Sequence, residues 1–313
     1  MKNPRIQATL LRLHRWITVI LAIPLATLIV TGLVLSFAPI VQTTSIKPGS
    51  ITLTELESHL ARHDPQGTAR GILMDHAAGT MTILGAEERK TVDIKSGVET
   101  DRRHWFSAWN RWARPLHEHF VYDLDWLVPL STAAMLVSMF FGVLMGWPRI
   151  INTVGGWHKA AGWFLLPLLV LSPLTGLFIT YGVTFTPPAQ RAEALPVIEA
   201  VRLVAQKHDP STLVYVRRRG PRQMALVNTG SEQIQYQPTK DGLKPLPANL
   251  PRIFHQGDFF GIWGGVMNVI LSLAFVLLLT TGLWIWLKRT FFRKRRRVRQ
   301  PAGRGAGAAQ PAE

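Results

Sequence analysis

Four charge-free apolar stretches divide the chain, at positions 17–37, 127–147, 163–181 and 264–287. Each is long enough to cross a bilayer core of about 30 Å as a helix. Trp16, Trp126, Trp147, Trp157, Trp163, Trp263, Trp284 and Trp286 fall at their ends, where an amphipathic ring prefers to sit. Between the stretches lie two long polar segments in which the pattern changes to short alternation. In the first, positions 53–63 read as a helix opened by a capping box from Thr52 to Glu55, and runs at 71–74, 80–84 and 91–94 read as strands. In the second, 195–208 reads as a helix, and 212–217, 223–228 and 233–237 as strands. A helix followed by a three-strand meander suits a small α+β module.

The predicted architecture is a membrane all-α four-helix transmembrane bundle with two small α+β modules and an internal twofold repeat. Its parts are an N-terminus with the first span (1–37), a module with an interfacial segment (38–126), a second span (127–147), a short loop (148–162), a third span (163–181), a second module (182–263), a fourth span (264–287) and a basic tail (288–313). The Gly- and Ala-rich end from Pro301 reads as disordered. Its Gly303, Gly305 and Gly307 follow no strand and open no helix, so they are not a nucleotide fingerprint.

The net charge of +16 suggests nucleic acid until its placement is considered. The segments before the first span, between the second and third, and after the fourth carry fifteen Lys/Arg and one acid, Glu313. The two long segments carry twenty Lys/Arg and eighteen acids. That asymmetry is the positive-inside signature. It predicts a bacterial inner-membrane protein with both termini in the cytoplasm, two periplasmic modules, a lipid partner and no nucleic acid. The first span, behind Arg5, Arg12 and Arg15, resembles a signal peptide but is longer than an h-region and lacks an A-x-A site, so it reads as an uncleaved anchor. There is no cysteine, which excludes disulfides, thiolate-held haem, iron–sulfur clusters and covalent haem attachment.

Four histidines at the span ends fall into two matched pairs. His14 and His158 each stand seventeen positions before a Thr-Gly-Leu, Thr31-Gly32-Leu33 and Thr175-Gly176-Leu177. His117 and His255 each close an Arg-x-[Leu/Phe]-His, beginning at Arg114 and Arg252. With odd spans running outward, His14 and His158 share the cytoplasmic face and His117 and His255 the exterior face. Two imidazoles from facing helices fill both axial positions of a haem iron. The expected cofactor is therefore haem b, two per chain, one near each face. Arg15 and Lys159, and Arg114 and Arg252, are the expected cations for the propionates. Gly32, Gly142, Gly176 and Gly282 would let a flat macrocycle or a neighbouring helix approach. A lone interfacial histidine is more often a polar boundary residue; four in two matched pairs with matched cations favour ligation. His119 is the alternative to His117.

Other residues carry blander readings. His63 and His208 occupy matching helix ends, and His59 with His63 has i, i+4 spacing but no third ligand. His76 sits in a turn. Positions 102–114, with His104, Trp105, Trp109 and Trp112, read as an interfacial segment, or as a ledge for an anionic substrate. Arg217, Arg218, Arg219 and Arg222 form an exterior basic cluster, a solvated strand end or an anion contact. Positions 293–299 are a stop-transfer block facing anionic lipid.

The chain resembles the PepSY-associated transmembrane proteins, through Leu13-His14-Arg15-Trp16 with Thr31-Gly32-Leu33, Leu116-His117, Trp157-His158-Lys159 with Thr175-Gly176-Leu177, and Phe254-His255 with Gly282-Leu283-Trp284. The likeness extends to about Arg289, and the exterior modules look like PepSY domains. The family includes inner-membrane ferric-siderophore reductases with b-type haems. The resemblance thus implies an enzyme that moves electrons from a cytoplasmic or quinol donor, supplied by a separate partner, to a periplasmic ferric siderophore, releasing iron. Two other readings stand beside it: a non-enzymatic PepSY sensor or assembly subunit, and a transporter of iron chelates or haem. The latter is weakened by spans with no ionisable residue at mid-depth. No motif names the donor or sets the oligomeric state.

Overall fold

The computed structural model describes residues 4–292, apart from 86–87, 122–123, 149, 188–191 and 221. The basic block 293–299 and the end of the tail lie outside the described residues. The first half runs α1 (Pro4–Ile20), α2 (Ala22–Ser36), α3 (Ala38–Ser45), α4 (Leu53–His63), β1 (Gly71–Asp75), β2 (Thr80–Leu84), β3 (Arg89–Asp93), α5 (Trp105–Glu118) and α6 (Leu127–Leu144). The second runs α7 (Val154–Phe164), α8 (Leu166–Thr180), α9 (Val197–Ala205), β4 (Leu213–Arg219), β5 (Arg222–Asn228), β6 (Gln233–Thr239), β7 (Gly242–Pro245), α10 (Leu250–Gln256) and α11 (Ile262–Leu287).

This architecture corrects the expectation of an all-α four-helix transmembrane bundle with two separate modules. The strands form one antiparallel sheet of order β3-β2-β1-β4-β5-β6-β7. The join is β1 with β4, with Ile72 opposite Val216 and Leu73 opposite Tyr215. A three-strand meander leaves the polar backbone of its outer strands unpaired, and an open edge invites pairing. Here the first strand of each meander satisfies the other. One face of the sheet is covered by α4 and α9. Leu56, Leu60, Ile72, Met81, Ile83, Val92, Val201, Val204, Val216, Ala225 and Val227 form a single core there. The capping box is present: Thr52 Oγ1 accepts from the Glu55 amide and Glu55 Oε2 from the Thr52 amide, at 3.2 and 2.7 Å.

The helices also depart from four straight spans. Three are long and apolar enough to cross a membrane: Ala22–Ser45, Leu127–Leu144 and Ile262–Phe292. The expected third span is instead two helices, α7 and α8, bent by 67° about Leu165. The first is likewise interrupted, at Leu21. Each break lies within three residues of a proline, Pro24 or Pro167, which can neither donate to the carbonyl four residues back nor pack against it. α2 packs against α11 and α5, and α8 against α6 and α10. A second core of Ile29, Leu169, Leu271, Ala274 and Phe275 fills the centre. Large apolar side chains such as Ile23, Val30, Phe140 and Leu273 point outward, as lipid-facing residues do.

Candidate functional site

The helix breaks and the short helices α5 and α10 bring four imidazoles together in two pairs. His14 on α1 and His158 on α7 have ring centres 6.3 Å apart, with planes at 76°. His117 on α5 and His255 on α10 stand 6.1 Å apart, with planes at 42°. Each pair draws one ring from each half of the chain. Asn268, bonded to His255, and Thr281, bonded to His158, stand thirteen residues apart on the unbroken α11, a rise of roughly 20 Å, so the pairs lie near opposite ends of the helices.

Every ring is held through Nδ1. His117 meets the Thr31 hydroxyl at 3.0 Å, and His158 the Thr281 hydroxyl at 2.9 Å. His255 meets the Ser172 carbonyl at 3.0 Å and the Thr175 hydroxyl at 3.4 Å, and His14 the Ser138 carbonyl at 2.8 Å. The direction of these bonds follows from the partners. A carbonyl can only accept. Each threonine hydroxyl has one proton, and each reaches back to a carbonyl of its own helix: Thr31 to Thr27 at 2.6 Å, Thr175 to Leu171 at 2.7 Å, Thr281 to Leu277 at 2.5 Å. Its oxygen is then left to accept, so Nδ1 carries the proton in all four rings. Nε2 keeps its lone pair, the arrangement that a second partner imposes on a metal-binding histidine.

The seats share a sequence logic. Leu28, Thr31 and Gly32 surround His117; Leu278, Thr281 and Gly282 surround His158; Ser172, Thr175 and Gly176 surround His255. In each, a carbonyl, a threonine three residues on and a glycine four residues on face the ring. A Cβ on Gly32, Gly282 or Gly176 would stand 3.2, 3.4 or 3.1 Å from the ring Cε1. Ser138 and Gly142 repeat the spacing at His14, but Phe141 replaces the threonine and a Cβ on Gly142 would meet nothing within 4 Å. The sequence shows three copies of Thr-Gly-Leu, at 31, 175 and 281. The third was the signal that these residues are seats for rings arriving from elsewhere rather than companions of the histidine seventeen residues upstream.

The flanking cations are less gathered. The Nε of Arg15 is buried without a hydrogen-bond partner, its guanidinium 5.9 Å from the Trp16 ring. Lys159, Arg114 and Arg252 are exposed, and Arg114 pairs with Glu118 at 3.2 Å. His119 caps α5 and lies 3.7 Å from Asp125, both exposed. His117, not His119, is the ring that faces His255. Four further histidines serve the fold. His59 bonds the Ile94 carbonyl, His63 that of Gly97, His76 that of Leu213, and His208 the Tyr236 hydroxyl.

The His117/His255 pair is braced from α11 and from the sheet. Asn268 donates to the His255 carbonyl at 2.9 Å. Three residues past His255, Asp258 accepts from Gln233 of β6 at 2.9 Å. Burial pushes its carboxyl up to about 6, against the opposing pull of Arg114 and Arg252. Sequence reading missed this carboxylate, which no motif marks.

An imidazole nitrogen sits roughly 2.0 Å from a transition-metal ion and roughly 1.1 Å from its ring centre, so two imidazoles opposed on one ion stand about 6 Å apart. Both pairs meet that spacing. Among the described residues no group of three or more His, Cys, Asp or Glu gathers as a site for a bare ion. Two nitrogen donors without a third suit an ion that arrives already ringed by its own ligands. No curated protein matches the chain. The family model of the PepSY-associated transmembrane region matches residues 11–289, and this is a membrane protein belonging to that family.

Proposed function

We propose that the chain is a b-type haem protein of the bacterial inner membrane that carries electrons outward to a ferric chelate. One observation carries the reading: two facing imidazole pairs, each spaced for a shared ion and each with Nδ1–H engaged and Nε2 free. His14 and His158 would hold one haem, and His117 and His255 the other. The buried, unpartnered Nε of Arg15 fits an anionic propionate at the first, with Lys159 beside it. Arg114 and Arg252, one turn before the outer rings, would serve the second. A haem with two imidazole ligands supplies one-electron transfer and leaves no open coordination position.

The chain's own work is to fix ring orientation through the threonine and carbonyl seats, to keep the two pairs a helix length apart, and to exclude water between them with the apolar core of Ile29, Leu169, Leu271 and Phe275. Positive-inside charge supports cytoplasmic termini and a periplasmic sheet. The electron donor is a cytoplasmic partner or a quinol. The acceptor is a ferric siderophore, whose hard oxygen ligands hold ferrous iron far less tightly than ferric. The test is a reduced-minus-oxidised spectrum of the purified, haem-supplemented chain, with haem counted per polypeptide. Two b-type haems are expected. Absence of any b-type signal overturns the reading and leaves a non-enzymatic membrane subunit.

A further inference from the structure

The two ends of the sheet differ in what they meet. At one end Asn228 bonds Thr43 of α3, Gln233 bonds Gln42 and Asp258, and Asp75 bonds Ser107 of α5. This end rests on the helices. The strand register sends the other end away from them. From Asn228 to Arg222, six residues of β5 rise about 20 Å.

That far end is crowded with arginine. Gly71 of β1 pairs with both Leu84 and Arg217, Leu84 with Arg89, and Arg219 with Arg222. Arg70, Arg89, Arg217, Arg218, Arg219 and Arg222 therefore sit side by side across five strands, a width of about 19 Å. None forms an ion pair among the described residues. Glu88, next to Arg89 in the chain, forms no ion pair with any of them among the described residues. Asp64 is spent on the amides of Thr68 and Ala69. Arg217 is the most telling of the six. Its guanidinium lies 4.4 Å from the centre of the Tyr215 ring, and its Nε is buried without an acceptor. A buried donor left unpaired is costly, and an incoming carboxylate would relieve that cost. By strand alternation Arg89, Arg217, Arg219 and Arg222 lie on the face of the sheet opposite α4 and α9, with the half-buried Tyr215, Met224, Leu226 and Gln235, while Arg70 and Arg218 lie on the helix-covered face.

We propose that this end of the sheet docks an acidic segment of a partner protein. The breadth of the array favours an extended acidic strip over a small anion. Its distance from the helices removes it from the headgroups of the chain's own membrane. Arginine forks bind carboxylates in pairs, and steering by such a patch raises association rates and is screened by salt. The proposal does not depend on haem.

The test titrates the whole chain, in neutral-lipid nanodiscs, with a fluorescein-labelled oligoglutamate peptide followed by anisotropy. Saturable binding is expected, weakening at least about tenfold between about 50 and about 300 mM salt. Two variants are compared, Arg217→Gln with Arg222→Gln, and the exposed pair Arg89→Gln with Arg219→Gln, each checked for unchanged melting. Each is expected to weaken binding several-fold. Unchanged affinity in both variants, or no saturable binding, overturns the proposal. So does complete displacement of the peptide by millimolar inorganic phosphate, which would make this a small-anion site, or preference for phosphatidylglycerol vesicles over peptide, which would make it a membrane contact.

Discussion

The two histidine pairs have the same ring spacing but are built differently. The outer pair rides on short helices, α5 and α10, that lean against α2 and α8. Both its rings have a threonine at Nδ1, and its backbone is braced by Asn268. The inner pair rides on α1 and α7, the half-helices before the breaks at Leu21 and Leu165. Only one of its rings, His158, has a threonine seat; His14 relies on the Ser138 carbonyl alone. Orientation at the outer pair is thus fixed twice over, and at the inner pair once on one side. On the proposed reading, this difference in ring support would give the two haems different potentials.

The largest effect that separates the pairs is deletion. On the proposed haem reading, His14→Ala with His158→Ala should remove one haem per chain and keep the other, and His117→Ala with His255→Ala should do the reverse. Spectra and haem stoichiometry check this; loss of both haems from either double variant would mean that the sites are not independent.

Next come the seats. Thr31→Val and Thr281→Val leave a ring N–H with a poorer acceptor, at a cost of about 1–3 kcal/mol each. They should broaden or shift the low-temperature haem spectrum of their own pair only. Thr175→Val should do less, because His255 keeps the Ser172 carbonyl at 3.0 Å. Phe141→Thr should have the opposite sign, giving His14 the acceptor it lacks.

Glycine substitution gives a smaller contrast. Gly32→Ala and Gly176→Ala put a methyl 3.1–3.2 Å from a ring carbon, so the imidazole must give way and haem retention should fall. Gly142→Ala meets nothing within 4 Å and should be neutral or stabilising by up to about 1 kcal/mol from helix propensity. Parallel haem-loss rates for the three variants decide it.

The smallest effect concerns the outer pair's link to the sheet. Asp258 has its carboxyl raised to about 6. Folding therefore loses stability through this group as pH rises from the ordinary aspartate range through 6, since the unfolded chain ionises first. The melting temperature should fall by a few degrees between pH 5 and 7.5, and Asp258→Asn should flatten that slope. An unchanged slope would show that Asp258 does not govern it.

Much of this was legible in the sequence because it is local. The capping box at Thr52, the strands at 80–84 and 233–237 and the apolar runs of α6 and α11 are short-range patterns that hydrogen bonding and burial enforce directly. The pairing of histidines followed from topology. Two things were not local. The join of β1 to β4 links residues more than a hundred positions apart, and an edge strand carries no mark of which other edge will cover it. The bend at Leu165 depends on how α7 and α8 pack, for which Pro167 is a permissive signal only. The seats were half visible: the Thr-Gly-Leu copies stood out, but the ring each one holds comes from a different helix.

The β1–β4 join makes each half depend on the other. A polypeptide ending near position 147 would own one imidazole of each couple and a bare sheet margin at β1. Nothing in it would be complete. Two such polypeptides, placed face to face about a dyad, would close both deficits at once. The stretch between α6 and α7 therefore does more than connect: it supplies each half with the partner that both its imidazoles and its sheet margin require.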